Sequence, residues 1–92
     1  MGGFLMDYYE SYQLDIFNYE LSDDDKLLLN ACIWLVENRA SIRGVARNFN
    51  MSKTYLHKHI HLRLRRLSFE LYECVKRQLK VNKLHRKSGL KA

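Results

Sequence analysis

The chain has no proline, four glycines and two cysteines in 92 residues, and its first 25 residues hold no lysine or arginine. Sandwiches and barrels need many tight turns, which glycine and proline make easy, so their scarcity excludes those folds and leaves helices. Cys32 and Cys74 are too few for a disulfide scaffold and too far apart for a zinc ribbon; each reads as a buried or half-buried reduced thiol. No segment approaches the roughly 20 apolar residues that span a bilayer, and no signal-peptide pattern opens the chain, so a cytoplasmic protein without membrane contact is expected. A glycine-rich phosphate loop, a nucleophile elbow and a carboxylate pair in apolar surroundings are all missing, so neither an enzyme nor a cofactor is expected.

What is there is charge, and it is divided. Residues 1 to 25 carry Asp7, Glu10, Asp15, Glu20, Asp23, Asp24 and Asp25, a balance of −7, whereas residues 26 to 92 carry all 16 basic residues against Glu37, Glu70 and Glu73, a balance of +13. The overall +6 conceals this division. A basic domain of this kind attracts polyanions and gains affinity by releasing counterions condensed on a phosphate backbone. The acidic residues of the N-terminal region read as solvated charge.

The stretch from Ser41 to Ile60 reads as two short helices joined by a tight turn. Ser41 caps the first, in which Ile42, Val45, Ala46 and Phe49 recur at helical spacing, and Ala46 is small enough for a crossing helix to approach closely. Asn50 tolerates a left-handed turn, Met51 plugs the corner, and Ser52 caps the second helix, whose Leu56 and Ile60 turn inward. Its outer stripe is Lys53, Thr54, His57, Lys58 and His61, every one able to donate a hydrogen bond. Donors in a row suit a groove floored by acceptors: in the major groove Lys53 reaches guanine O6 and N7 or a phosphate, and Thr54, His57 and Lys58 meet base edges or the flanking backbone. Of the three histidines at 57, 59 and 61, only His57 and His61 share a face, with no carboxylate or cysteine at ligand spacing, so no metal is expected.

Around this pair, Ser22 and Asp25 make a capping-box start for a helix running to about Asn38 with Leu28, Leu29, Cys32, Ile33, Leu35 and Val36 on its apolar side, and Trp34 in the core or at its edge. Residues 61 to 67 either extend the second helix or form a connecting loop. Ser68 caps a further helix with Leu71, Val75 and Leu79 in one row and Leu67 and Tyr72 at the positions of a hydrophobic staple, its order ending near Ser88-Gly89. The first 21 residues combine acid with Phe4, Tyr8, Tyr9, Tyr12, Phe17 and Tyr19, and Leu5, Tyr8, Tyr9, Tyr12 and Ile16 fall at helical intervals; an extra helix and a mobile tail are both open.

These residues resemble the stage III sporulation protein D family, small helix-turn-helix transcriptional regulators of endospore-forming bacteria. The similarity covers about residues 26 to 87. It rests on Val36-Glu37, Ile42-Arg43 and Val45-Ala46, on Ser52-Lys53 with Leu56-His57-Lys58, on Arg63-Leu64, and on Leu71, Val75-Lys76 and Leu79; the Ser-Lys-x-x-Leu-His-Lys run is its specific part. The resemblance implies a reader helix in the major groove and a basic C-terminal segment on neighbouring DNA, acting at sporulation promoters. Those roles fall here on Lys53, Thr54, His57 and Lys58, and on Lys83, Arg86 and Lys87. The chain departs from the family in Asn50 where a turn glycine is usual, in the missing proline before the last helix, in a shorter basic tail, and in the acidic first 20 residues.

The expected architecture is therefore an all-α, small helical bundle containing a helix-turn-helix, with a further C-terminal helix and a basic tail. Residues 1–21 form an acidic aromatic extension, 22–82 the DNA-binding domain and 83–92 the tail. The expected function is sequence-specific regulation of transcription with helix 52–61 in the major groove, and the DNA-binding residues are Arg43, Ser52, Lys53, Thr54, His57, Lys58, His61, Lys83, Arg86 and Lys87. Double-stranded DNA and RNA polymerase are the expected partners of a monomer associated with the nucleoid. The rival reading is a protein-interaction module that docks an acidic component of the transcription machinery.

Overall fold

A computed structural model describes residues 12–88, and among these the secondary structure is helical with no strand. Helix α1 spans Asp23–Glu37. Ser22 opens it with a reciprocal capping box, Asp25 N donating to Ser22 Oγ and Ser22 N to Asp25 Oδ2, both at 3.1 Å. Three aspartates in the first turn place negative charge where the helix dipole favours it. Leu28, Leu29, Ala31, Cys32, Ile33 and Leu35 are buried along it and form the back of the core.

Helix α2 (Ile42–Asn48) and helix α3 (Lys53–His59) follow, each opened by a serine: Ser41 Oγ accepts from Gly44 N at 3.0 Å and Ser52 Oγ from Tyr55 N at 2.9 Å. Helices α1 and α2 end in the same way. Arg39 and Asn50 hold φ of 50° and 54°, and beyond them Ala40 N donates to Leu35 O and Met51 N to Ala46 O, both at 2.9 Å. A left-handed residue at this position lets the chain reverse while satisfying helix-end carbonyls. The turn at Asn50 is as the sequence predicts. The same turn at Arg39 is not signalled, because arginine has no special tolerance for positive φ.

Of the two alternatives for residues 61–67, extension of the second helix is what forms. The backbone widens into a π-helical segment, Ile60–Leu64, and closes with a last turn, α4 (Arg65–Leu67). Leu56, Ile60, Leu64 and Leu67 are all buried along this continuous rod. At Ser68 the chain becomes extended (φ −156°, ψ 102°), and helix α5 (Phe69–Ser88) begins. Leu71, Tyr72 and Val75 bury its first half against α1 and the π segment, whereas Lys80, Val81, Lys83 and Leu84 on its second half are exposed. The helix runs past Lys83 without a break, so that residue sits on a helix and not on a tail.

The N-terminal residues require two corrections. Over residues 12–21 the chain is neither the extra helix nor the mobile tail that the sequence left open. It is an irregular strap with a single 3-10 turn, Asn18–Glu20, laid across the α4–α5 corner. Asp15 N donates to Leu67 O at 2.7 Å, Phe69 N to Asp15 Oδ2 at 2.8 Å, Gln13 N to Glu70 Oε1 at 2.7 Å and Ser68 Oγ to Gln13 O at 2.6 Å. Leu21 is buried, and Tyr12, Leu14 and Ile16 pack on the core. Asp25 is accordingly not a solvated charge: it is partly buried and accepts an amide at a helix start, which repays its desolvation, whereas Asp15 accepts the Phe69 amide while remaining exposed. The expected row through Leu5, Tyr8 and Tyr9 lies outside the described residues.

Both cysteines are free, Cys32 buried and Cys74 half-buried. Burial pushes the Cys32 thiol up to about 12, so it stays protonated and unreactive. Trp34 stands at the edge of the core, edge-on to Phe49 with ring centres 6.0 Å apart. No helix among the described residues is long and apolar enough to cross a membrane.

Candidate nucleic-acid interface

Three elements converge on an open cleft of about 630 Å³: the start of α2, the outer face of α3 and the second half of α5. Ser52 fixes where α3 begins. With Leu56 fully buried, the helical repeat turns Lys53, Thr54, His57 and Lys58 to the outside, where all four line the cleft. Arg43 contributes from α2 and Ser41 from its cap, and Leu79, Asn82 and Lys83 contribute from α5.

Arg43, Lys53, Lys58 and Lys83 therefore surround one concavity, with Ile42 and Leu79 supplying apolar surface. No acidic residue is among its lining. Cations that share a low-dielectric wall without counter-charges raise the local potential and draw in an anion. The wall that α5 provides is tied in place: Asn82 Nδ2 donates to Ala40 O at 3.0 Å, and Gln78 Nε2 donates to Asn82 Oδ1 at 2.9 Å.

Six of the ten residues singled out from sequence, Arg43, Lys53, Thr54, His57, Lys58 and Lys83, meet in this cleft. Ser52 lies at its edge in sequence but its hydroxyl is engaged in capping α3. His61 is exposed one turn beyond the cleft, between His57 (ring centres 5.0 Å apart) and Tyr72 (6.1 Å), with Nδ1 3.5 Å from the Tyr72 hydroxyl. Arg86 and Lys87 lie on the last turn of α5, and their side chains lie outside the described set.

Sequence reading missed Asn82. It continues the inward row Leu71, Val75, Leu79 by three residues, and a polar side chain ending an apolar row is the signal of a specific hydrogen bond. It also missed what Arg63 does. Arg63 is half-buried, forms an ion pair with Asp25 and donates to the Tyr55 hydroxyl at 3.4 Å. His59 faces away from the cleft against the Tyr55 ring, centres 4.2 Å apart; burial, Arg63 and Lys58 hold its imidazole below the ordinary value. Among the described residues no group of three His, Cys, Asp or Glu is placed to hold a metal.

Neither the curated proteins nor the solved structures yield a match. A family described as stage III sporulation protein D matches residues 24–90, which hold α1 through α5 almost entire, the two-helix unit and every residue that lines the cleft. The match leaves out the strap. Covering well over half of the chain, it shows that this protein belongs to the stage III sporulation protein D family of sporulation-associated transcription regulators.

Proposed function

We propose that the protein is a sequence-specific DNA-binding regulator of sporulation-type promoters, with α3 in the major groove and the second half of α5 along the neighbouring phosphate backbone. The observation that carries this reading is the cleft itself, where four cations from three elements stand around hydrogen-bond donors of α3. Lys53, at the helix start, reaches a phosphate or the acceptor pair of guanine, and Thr54, His57 and Lys58 reach base edges. Arg43 and Lys83 hold the backbone and set the register without reading sequence. Arg86 and Lys87 fall three and four residues after Lys83 in sequence, which adds them to the proposed backbone contacts, and His61 extends the α3 stripe by one turn.

Eight side chains able to donate and no acceptor-only side chain around the cleft fit a duplex groove better than the carboxylates of a protein partner, which demand charge but no pattern. On this reading the protein acts as a monomer at the nucleoid, and contact with polymerase is secondary to DNA contact. Titration of a random duplex against salt tests it. With about five phosphates neutralised, log K falls against log salt with a slope of roughly −4 to −5. A flat response overturns the proposal.

A further inference from the structure

Arg63 takes no part in lining the cleft, although it stands on the rod that carries the reader face. Its side chain is only 21% exposed. Nη2 is paired with Asp25 Oδ1, and Nη1 reaches the Tyr55 hydroxyl at 3.4 Å. The other oxygen of the same carboxylate accepts from Ser22 N, and Tyr55 N in turn donates to Ser52 Oγ at the start of α3. One chain of contacts thus runs from the cap of α1, through Arg63, to the cap of α3.

The position of Arg63 explains the π turn. In an uninterrupted α-helix, residues 56, 60, 63 and 67 share one face, and that face is the buried one. An arginine would then point into the core. A π turn bonds residue i to i+5 in place of i+4, so each residue within it rotates less about the axis. Leu64 takes the inward place, fully buried beside Leu56 and Ile60, and Arg63 moves to the flank where Asp25 and Tyr55 meet it. Such turns are rare and persist where surrounding contacts impose them. Arginine suits the task because its planar fork donates in two directions at once, which a lysine ammonium on a flexible stem does not reproduce.

We propose that Arg63 is a positioning residue for DNA reading: the Asp25–Arg63–Tyr55 latch holds the π turn, and thereby fixes the rotation of α3 that presents Lys53, Thr54, His57 and Lys58 beside Lys83. This rests on α3 being the helix that reads DNA. Arg63 itself contacts no nucleic acid, since its guanidinium is half-buried and neutralised by Asp25. A reader face that is present but slightly rotated keeps its charge and loses its match to base edges.

The test compares a duplex enriched by the wild-type protein from a random library with random duplex of the same length, for wild type, Arg63→Gln, Asp25→Asn, Arg63→Lys and Tyr55→Phe. The affinity ratio between the two duplexes falls about tenfold in Arg63→Gln and Asp25→Asn, on the order of one lost base contact. It falls less in Arg63→Lys and Tyr55→Phe, which keep the charge pair. Random-duplex affinity and its salt slope stay at wild-type values. The double variant Asp25→Asn with Arg63→Gln is no worse than either single change, because both open the same latch. A lowered thermal midpoint with an unchanged ratio overturns the proposal, leaving a purely structural ion pair. A salt slope reduced by about 1 in Arg63→Gln overturns it as well, by making Arg63 a phosphate contact. Should the two charge-removing variants fail to fold, unchanged ratios in both Arg63→Lys and Tyr55→Phe overturn it. A wild-type protein that enriches no duplex removes the DNA reading itself, and this is seen before any variant is made.

Discussion

The side-chain amide of Asn82 donates to the backbone carbonyl of Ala40 at 3.0 Å, joining the projecting half of α5 to the turn between α1 and α2. Two residues 42 positions apart thereby set the width of the cleft, since Leu79, Asn82 and Lys83 form one wall and Ser41, Ile42 and Arg43 lie on the opposite side of that bond. Asn82→Ala removes the bond and leaves the Ala40 carbonyl to water. Stability falls by about 0.5–1.5 kcal/mol, the ordinary range for one hydrogen bond, as read from a urea midpoint. Affinity for duplex DNA falls as well, because Lys83 loses its fixed distance from Lys53.

Readers and positioners separate within the cleft. Lys58→Ala and His57→Ala reduce the preference between an enriched and a random duplex, each by about 1–3 kcal/mol if the lost contact is to a base edge. Lys83→Ala weakens both duplexes alike and lowers the magnitude of the salt slope by about 1. Binding curves at three salt concentrations distinguish the two patterns, and the reverse pattern places α5 in the groove in place of α3.

The strap is structural over the residues described. Ser68 is fully buried, accepting from Leu71 N at 3.2 Å while donating to Gln13 O. Ser68→Ala therefore removes a helix cap and the strap's anchor together and lowers stability by about 1–3 kcal/mol. Deleting residues 1–20 lowers the thermal midpoint for the same reason, by uncovering the surface that Tyr12, Leu14 and Ile16 pack on. A deletion that left the midpoint unchanged and raised random-duplex affinity would instead make the acidic segment a competitor for the basic face.

Acid weakens the fold in two steps of known sign. Burial alone would raise the Asp25 carboxyl, but the Ser22 amide and the Arg63 guanidinium outweigh it and hold the group below its ordinary value. A depressed carboxyl contributes stability that is full above the ordinary carboxylate range, about 4, and is lost as pH falls through the depressed value. His59 is also depressed, by burial first and then by Arg63 and Lys58, so its contribution is full above the ordinary imidazole range, about 6.5, and declines below it. Urea midpoints between pH 8 and pH 3 fall first below about 6.5 and again below about 4. The difference between wild type and Asp25→Asn closes only in the second step, and the difference between wild type and His59→Gln shrinks in the first.

Arg39 ends α1 at φ 50°, a conformation in which a Cβ is crowded by its own backbone. Arg39→Gly relieves that crowding and raises stability by about 0.5–1 kcal/mol, less than the full relief because glycine adds freedom to the unfolded chain. Asn50→Gly, at φ 54°, gains less, since asparagine tolerates this region better. Thermal midpoints of the two variants measured side by side check the order.

Local chemistry was legible in the sequence. Ser22, Ser41, Ser52 and Ser68 announce helix starts because a hydroxyl satisfies an amide three residues on, and each one does so. The row Leu71, Val75, Leu79, the inward pair Leu56 and Ile60 and the turn at Asn50 follow from helical repeat and backbone preference, which act over a few residues. The outward stripe from Lys53 to Lys58 follows from the same repeat, since whatever does not turn inward turns out. What the chain alone could not disclose were pairings without a period: Asn82 with Ala40, Arg63 with Asp25 38 positions away, and Gln13 and Asp15 with Ser68 and Phe69 more than 50 positions on. In sequence Arg63 is one of three arginines between positions 63 and 66, and only the π turn sets it beside Asp25. Whether Lys83 belongs to a tail or to a wall of the cleft was likewise decided by packing. The direction in which α5 leaves the core depends on how α1, α5 and the π segment fill their shared interior, and no local pattern of residues specifies that angle.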